Sequence, residues 1–186
     1  MSATRRWWEL LAQANSDGTA LTAAAAASAL PTHAVWTMPP NFLEVGSQLR
    51  VRASGRISNV VTTPGTARYD VRLGAVVAFD GLALPLNIVA KTSVGWWLEL
   101  LLTCRSIGSG TSATLMGQGF WTSESVIGSP LPSVGGSGTI ILPYNSAPAV
   151  GAGFDSTVSN AVNLYFTQTV ATGSMTLHQY SLAMAT

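Results

Sequence analysis

Charged side chains are scarce in this sequence: they make up 9% of its 186 residues, against about 25% in a typical soluble domain. Nine basic and eight acidic residues leave a net charge of +1. Without an excess of positive charge, we expect no broad electrostatic attraction to nucleic acid or to anionic membranes. Cysteine is nearly absent as well, since Cys104 stands alone. A lone cysteine excludes an intramolecular disulfide framework and a cysteine-based metal site.

Residues that carry acid–base chemistry are equally few. Histidine occurs only as His33 and His178, and both are predicted to be packing or surface side chains of strands. The carboxylates are scattered singly, without the local pair that a glycosidase uses. Serine-nucleophile, phosphate-loop, dinucleotide and zinc motifs are missing, and the sole lysine, Lys91, lies in none of them. The sequence therefore predicts no enzyme, no cofactor and no metal. A glycan hydrolase whose distant carboxylates converge in the fold is the remote alternative.

Long hydrophobic runs are also missing, although 47% of the residues are hydrophobic. The best candidate, Val94 to Thr103, contains Glu99 and is shorter than the ~18 residues that a membrane-spanning helix needs. The start of the chain resembles a signal peptide, but Glu9 and Gln13 interrupt its hydrophobic part. We therefore expect neither a membrane association nor an export signal. Twenty serines and twenty threonines provide neutral polar surface, which suits strands and turns better than helix interiors.

What the sequence has in abundance is period-two alternation, the pattern of half-buried β-strands. Gln48 to Ile57 and Arg68 to Leu73 show it most clearly. Further strands are predicted at residues 9–14, 33–38, 75–79, 96–105, 113–122, 139–142, 161–170 and 175–184. Asp-Gly and Gly-Ser-Gly turns separate them, and no crossover helix follows any strand. We therefore predict an all-β fold: an antiparallel β-sandwich, jelly-roll-like, in a single domain.

Three stretches depart from this pattern. The alanine-rich run Thr22 to Leu30 is compatible with a short helix or with a closely packed strand, and this choice stays open. Residues 1–18 are predicted to be an N-terminal segment that docks on a partner, ahead of a sandwich domain over residues 19–186. Residues 128–153 are a long excursion rich in Pro, Gly and Ser. This excursion is either an arm that reaches a neighbouring subunit or a plain surface loop.

The N-terminal segment contains the adjacent tryptophans Trp7 and Trp8. Neighbouring residues of a strand point to opposite faces, so an extended segment cannot place both rings in the core. One ring would then be left for a partner. The alternative is a helical turn that packs both rings on the sheet of the same chain.

The strand from Gly95 to Arg105 has one complete apolar face, which would supply the core. Its opposite face carries Trp97 and Leu101 beside Glu99, more apolar residues than an ordinary solvent-facing strand has. We expect this face to be covered, either by another subunit or by a loop of the same chain.

Five of the nine basic residues project outward from two predicted strands: Arg50, Arg52, Arg56, Arg68 and Arg72. If the two strands are neighbours, these arginines form either a docking stripe for an acidic partner or a solvated face where Asp70 pairs with flanking arginines. The candidate interface residues are thus Trp7, Trp8, Trp97, Leu101, Arg50, Arg52 and Arg56.

Several stretches of the chain resemble small β-sandwich virion proteins of tailed bacteriophages. They are Leu49–Asn59, Val71–Gly74, Phe79–Gly81 and Trp97–Gly108, followed by Met116–Phe120 and Thr176–Leu182. The resemblance lies in the pattern of strands and in the sequences of the turns, and it runs from about Leu10 to the end. It includes no motif from which binding residues can be carried over. It implies a particle component: a capsid decoration (cement) protein that forms trimers, or part of a tail or fibre.

Composition and resemblance together predict a structural virion protein on the capsid surface, made in the host cytoplasm. Its copies would form a homo-oligomer, a trimer by the resemblance, and clamp adjacent major capsid subunits. The alternative is a phage tail or fibre module that binds another tail protein or host-surface carbohydrate. In that case Trp36, Trp121 or Tyr144 would stack on sugar rings.

Overall fold

The computed structural model describes residues 7–60, 63–125 and 138–185. In these ranges the chain forms twelve β-strands and one short 3₁₀ helix, Thr32–Ala34. The strands are β1 Trp8–Gln13, β2 Ala26–Ser28, β3 Trp36–Met38, β4 Gln48–Asn59, β5 Thr66–Leu73, β6 Val76–Asp80, β7 Leu84–Pro85, β8 Lys91–Ser106, β9 Thr114–Ser123, β10 Gly138–Leu142, β11 Asn160–Gln168 and β12 Ser174–Ala185. As predicted, the fold is an all-β sandwich of antiparallel sheets in one domain. No helix in the described ranges has the length and hydrophobicity to cross a membrane.

The two sheets have the strand pairing of a jelly roll. Sheet A has the order β1-β12-β4-β8-β9-β10; sheet B has the order β2-β11-β5-β6, with β3 also beside β11 and β7 beside β5. The antiparallel pairs are nested along the chain: β5 with β6, β4 with β8, β2 with β11, and β1 with β12. This is the arrangement of a long hairpin rolled into two sheets. The hairpin of β9 and β10 extends sheet A beyond it.

The core lies between the sheets and follows from the alternation in the sequence. Every second side chain of β4 and β8 is buried, from Leu49 to Ile57 and from Trp96 to Cys104. At its centre, the ring of Tyr69 lies 5.2–5.3 Å, between centroids, from three other rings: Trp96, Trp121 and Phe166. Burial raises the pKa of Tyr69 well above its ordinary value, because a phenolate has no favourable solvation there.

The alanine-rich run is a strand where it is regular. Ala26–Ser28 pairs with β11, and the N–H of Ala29 donates to the carbonyl of Leu164 at 2.9 Å. Pairing with a sheet overrides the helix propensity of alanine here, since Ala29 and Leu30 become buried. The strand predicted from His33 was wrong at its start, because Pro31 leads into the 3₁₀ turn and β3 begins only at Trp36.

The N-terminal segment is part of the sandwich. β1 is the edge strand of sheet A and pairs with β12, with Trp8 opposite Ala185. The predicted domain boundary after residue 18 is therefore wrong, and the alternative of a helical turn at Trp8 is excluded. A bulge at Leu11 interrupts the register, which makes this edge less regular as a template for further strands.

The excursion is described from residue 138 onward; residues 128–137 lie outside the described ranges. β10 pairs with β9, and the N–H groups of Tyr144 and Gly151 donate to the carbonyls of Gly81 and Leu115, each at 2.9 Å. This part of the chain therefore crosses from one sheet to the other and closes that side of the sandwich. A Cβ at Gly151 would collide with the carbonyl oxygen of Ala78, so glycine is required there. The described part packs on its own chain, and the choice between an arm and a surface loop stays a prediction for residues 128–137.

Candidate functional site

The outer face of sheet A carries five of the seven candidate interface residues on its two central strands. Arg50, Arg52 and Arg56 of β4 and Trp97 and Leu101 of β8 all point away from the core, because their neighbours in each strand are buried. The register sets Arg50 opposite Leu101. Alternation in the sequence was sufficient to find these residues, although it could not reveal that the two strands are neighbours.

Trp8, the sixth candidate, belongs to the same face. The guanidinium carbon of Arg50 lies 4.2 Å from the centroid of the Trp8 ring, a cation–π contact. Trp7 immediately precedes the strand, at the edge of the sheet. Their exposed fractions are 63% for Trp7 and 39% for Trp8. Neither ring enters the core, so both are available at the surface.

The charges of this face are compensated only in part. Arg52 makes a two-pronged ion pair with Glu99, with Nε donating at 2.9 Å and Nη2 at 3.2 Å. Arg50 stacks on the Trp8 ring, a contact that leaves its charge in place, and Arg56 is exposed at the far end of β4. The face therefore presents aromatic and apolar groups together with positive charge.

The apolar part of the face extends past the residues that the sequence singled out. Trp97 is 41% exposed and Leu101 39%, and Leu10 and Ile141, on the strands at the two edges of sheet A, are exposed as well. Phe120 lies between them, opposite Glu99 on one side and Ile141 on the other. Among the described residues, these side chains stay exposed, and the cover that the sequence predicts for this face stays a prediction.

On the outer face of sheet B, the charged side chains are paired within the chain. Asp70 is fully buried, and its Oδ1 accepts a hydrogen bond from Arg72 Nε at 2.6 Å. That hydrogen bond raises the pKa of Arg72. The guanidinium of Arg72 also lies 3.8 Å from the ring centroid of Tyr165, and Arg68 pairs with Asp80 at 2.7 Å. Partners from the same chain therefore satisfy the charges of this face.

The five-arginine stripe predicted from the sequence does not exist. Arg50, Arg52 and Arg56 lie on β4 of sheet A, whereas Arg68 and Arg72 lie on β5 of sheet B. Asp70 does pair with Arg72 at 2.6 Å and lies 3.8 Å from Arg68, but it is buried and both arginines lie on its own strand, so the alternative prediction of a solvated face is right only in the pairing. Alternation shows which side chains share a strand face but not which strands share a sheet.

The aromatic residues predicted to stack on sugar have other surroundings. Trp121 is fully buried in the core, so its candidacy was wrong. Trp36 is half-buried against Phe42, with ring centroids 5.1 Å apart, and Tyr144 is half-buried in the closing segment. An open groove lies instead on the outer face of sheet A, beside Trp97. It has a volume of about 270 Å³, and Arg52, Ser54, Gln179 and Ser181 contribute to its lining.

Both histidines contact hydrogen-bonding partners in the segment that follows β1. His33 Nε2 accepts from the N–H of Asn15 at 3.3 Å, and His178 Nδ1 lies 2.8 Å from Asp17 Oδ1. Among the residues that the structure describes, no group of three His, Cys, Asp or Glu side chains is placed to hold a metal ion. Cys104 is buried, and burial raises the pKa of its thiol.

Comparison of the chain with protein-family profiles, with curated proteins and with solved structures found no match. The resemblance to small β-sandwich virion proteins therefore stays a prediction. The surface that any function has to explain is the uncovered, mixed aromatic and arginine face of sheet A.

Proposed function

We propose that this chain is a structural, non-enzymatic virion protein that associates with copies of itself through the outer face of sheet A and stabilises a phage head as a capsid decoration protein. The contrast between the two outer faces of one sandwich carries this proposal. Sheet B satisfies its outward charges within the chain, whereas sheet A exposes Leu10, Leu101 and Ile141. A contiguous apolar surface of this kind is typical of an interaction site.

A second copy of the chain is the partner that the composition of this face favours. The face combines aromatic rings with arginines, since the ring of Trp8 stacks on Arg50 and Trp97 is exposed near Arg52. Tryptophan and arginine are the residues that dominate interface energies when a partner desolvates them. The trimer that the resemblance implies would close the contacts by symmetry.

The mechanism is geometric and needs no cofactor. Each copy buries apolar surface against its neighbours, and the assembled oligomer bridges adjacent major capsid subunits on the outside of the head. Pulling two capsid subunits apart then also requires breaking contacts to the oligomer, which raises the cost of separation. The protein is made in the host cytoplasm and resides on the capsid surface.

A charge placed in the apolar face tests self-association. Leu101→Asp should give a folded monomer, because the interface would then have to remove water from a carboxylate together with Arg50 opposite it. Thr167→Asp is the matched control, since Thr167 lies on β11 opposite Arg68 in sheet B. Light scattering should find a multiple of the 19.3 kDa chain mass for the unmodified protein and the control. Circular dichroism should show that both variants keep the β-fold.

The location is tested by electron microscopy of the purified particle. Density for the jelly roll at repeated lattice positions on the head supports a decoration protein, and density on the tail alone contradicts it. A soluble monomer at micromolar concentration that also fails to associate on the particle would contradict the proposed function as a whole.

A further inference from the structure

The groove beside Trp97 has the features of a binding site that self-association does not require. It lies over β12, β4 and β8, where the small side chains of Ser54 and Ser181 form the floor between larger neighbours. The larger side chains that surround this floor are those of Trp97, Arg52 and Gln179. Concave sites of this kind, apolar on one side with a few convergent polar groups, are typical of small-ligand sites.

Hydrogen bonds within the chain orient the polar groups of the groove, and these groups still have donors and acceptors free for a ligand. The ion pair with Glu99 uses Arg52 Nε and one N–H of Nη2, which leaves three of the five guanidinium N–H donors for a ligand. Ser54 Oγ donates to Gln179 Oε1 at 3.1 Å. That bond turns the amide so that its Nε2 is available to donate, and the hydroxyl oxygens of Ser54 and Ser181 can accept.

Arg52 is the charged residue among those that line the groove, and Glu99 balances its charge. Glu99 holds the guanidinium of Arg52 at two atoms, so a phosphate or carboxylate arriving there would meet a carboxylate that is already in place. A neutral ligand gains the remaining hydrogen bonds without that repulsion. The exposed part of the Trp97 ring adds a flat apolar wall, which suits a ligand that has one apolar face and a polar edge.

We propose that this groove binds a neutral hexopyranose, whose C–H face stacks on Trp97 and whose hydroxyl groups exchange hydrogen bonds with Arg52, Gln179 and Ser54. A pyranose unites a flat apolar face with a rim of groups that both donate and accept. The proposal does not depend on the proposed function. The docking residues Leu10 and Leu101 lie toward the other end of sheet A, and Arg50 and Ser54 are about 13 Å apart along β4, at ~3.3 Å per residue.

Saturation-transfer NMR on the full chain tests the site directly. The probes are methyl glycosides of glucose, galactose, mannose and N-acetylglucosamine, and a set of oligosaccharides that end in the same sugars. Transfer from the protein to the ring protons of a free glycoside indicates a monosaccharide site. Transfer only with the oligosaccharides assigns the groove to the end of a cell-surface glycan. Both results support the proposal if they depend on Trp97.

Four variants make the result specific to the groove. Trp97→Ala should abolish transfer, and Trp97→Phe should retain part of it because a ring remains to stack. Trp7→Ala is the control, since it removes an exposed tryptophan that does not line the groove. Gln179→Ala should weaken binding without changing the melting temperature, because its side chain is exposed and bonds only to Ser54 among the described residues.

The same samples are measured by light scattering, and binding is repeated on Leu101→Asp. Sugar binding by this variant supports the site whatever the association state of the unmodified protein. Lack of binding by both proteins, transfer that persists in Trp97→Ala, or preferential binding of a nucleoside would each overturn the proposal. Loss of self-association alone would contradict the proposed function and leave the sugar site standing.

Discussion

Replacing Trp7 and Trp8 separately by alanine distinguishes docking from a structural role at the edge of sheet A. The best-defined contact of Trp8 is the cation–π interaction with Arg50, which at an exposed site contributes about 0.5–1 kcal/mol. In a chain of this size, a loss of about 1 kcal/mol lowers the melting temperature by about 2–4 °C. Trp8→Ala should therefore cost only a few degrees in an isolated subunit, and Trp7→Ala less, because Trp7 is 63% exposed.

Trp121→Ala shows how much stability is lost when a fully buried ring is removed. Trp121 is fully buried and packs against Tyr69 with ring centroids 5.2 Å apart. Truncating such a core residue costs about 3–5 kcal/mol, which corresponds to a fall of about 6–20 °C in the melting temperature at about 2–4 °C per kcal/mol. The N-terminal and core substitutions should thus differ several-fold.

Calorimetry on the dissociated subunit, in the Leu101→Asp background, measures stability, and occupancy on the particle measures docking. Docking predicts that Trp7→Ala or Trp8→Ala lowers occupancy while the melting temperature stays within a few degrees. If both substitutions lower the melting temperature as much as Trp121→Ala does, the two rings are structural and the docking hypothesis fails. Unchanged occupancy in both variants would refute it as well.

Three further outcomes follow from particular contacts. Burial raises the pKa of Tyr69 above its ordinary 10.0, so its contribution to stability should be constant below about pH 10 and fall above it, where only the unfolded chain releases the proton; Tyr69→Phe should make the alkaline fall in stability less steep in urea titrations. Cys104 should react with thiol reagents far more slowly in the folded protein than in denaturant, and equal rates would show that the thiol is accessible. Gly151→Ala should lose about 1–3 kcal/mol in chemical denaturation, because its Cβ meets the carbonyl of Ala78. Gly95→Ala, with open space around its Cβ, should change stability by no more than about 0.5 kcal/mol.

The sequence predicted the strands well because their burial alternates. In β4 the predicted apolar residues, from Leu49 to Ile57, all face the core, and the boundaries of β9 and β12 differ from the predicted ones by one residue at each end. Errors occurred where local preference and tertiary pairing compete. The helix propensity of alanine left residues 22–30 undecided until pairing with β11 fixed β2.

Which strands are neighbours could not be read from periodicity. Arg56 and Arg68 look alike in the sequence, yet they lie on opposite outer faces of the sandwich, because the chain changes sheets between β4 and β5. The groove was missed for the same reason: Ser54 and Gln179 are 125 positions apart, and only the register of β4 with β12 brings them together. Leu10 and Ile141 could have been suspected only after the order of sheet A was known.

The nested pairing of the jelly roll also determines how this chain must fold. β1 pairs with β12 and β2 pairs with β11. The first two strands therefore cannot form these pairs until the last two strands are in place, and until then their backbone hydrogen-bonding groups stay unpaired. Native contacts so distant in sequence slow folding, because the loop must close before the contact stabilises it. During that interval the apolar strands β4 and β8 can pair with those of other chains. We therefore expect slow refolding and a yield that falls steeply as protein concentration rises.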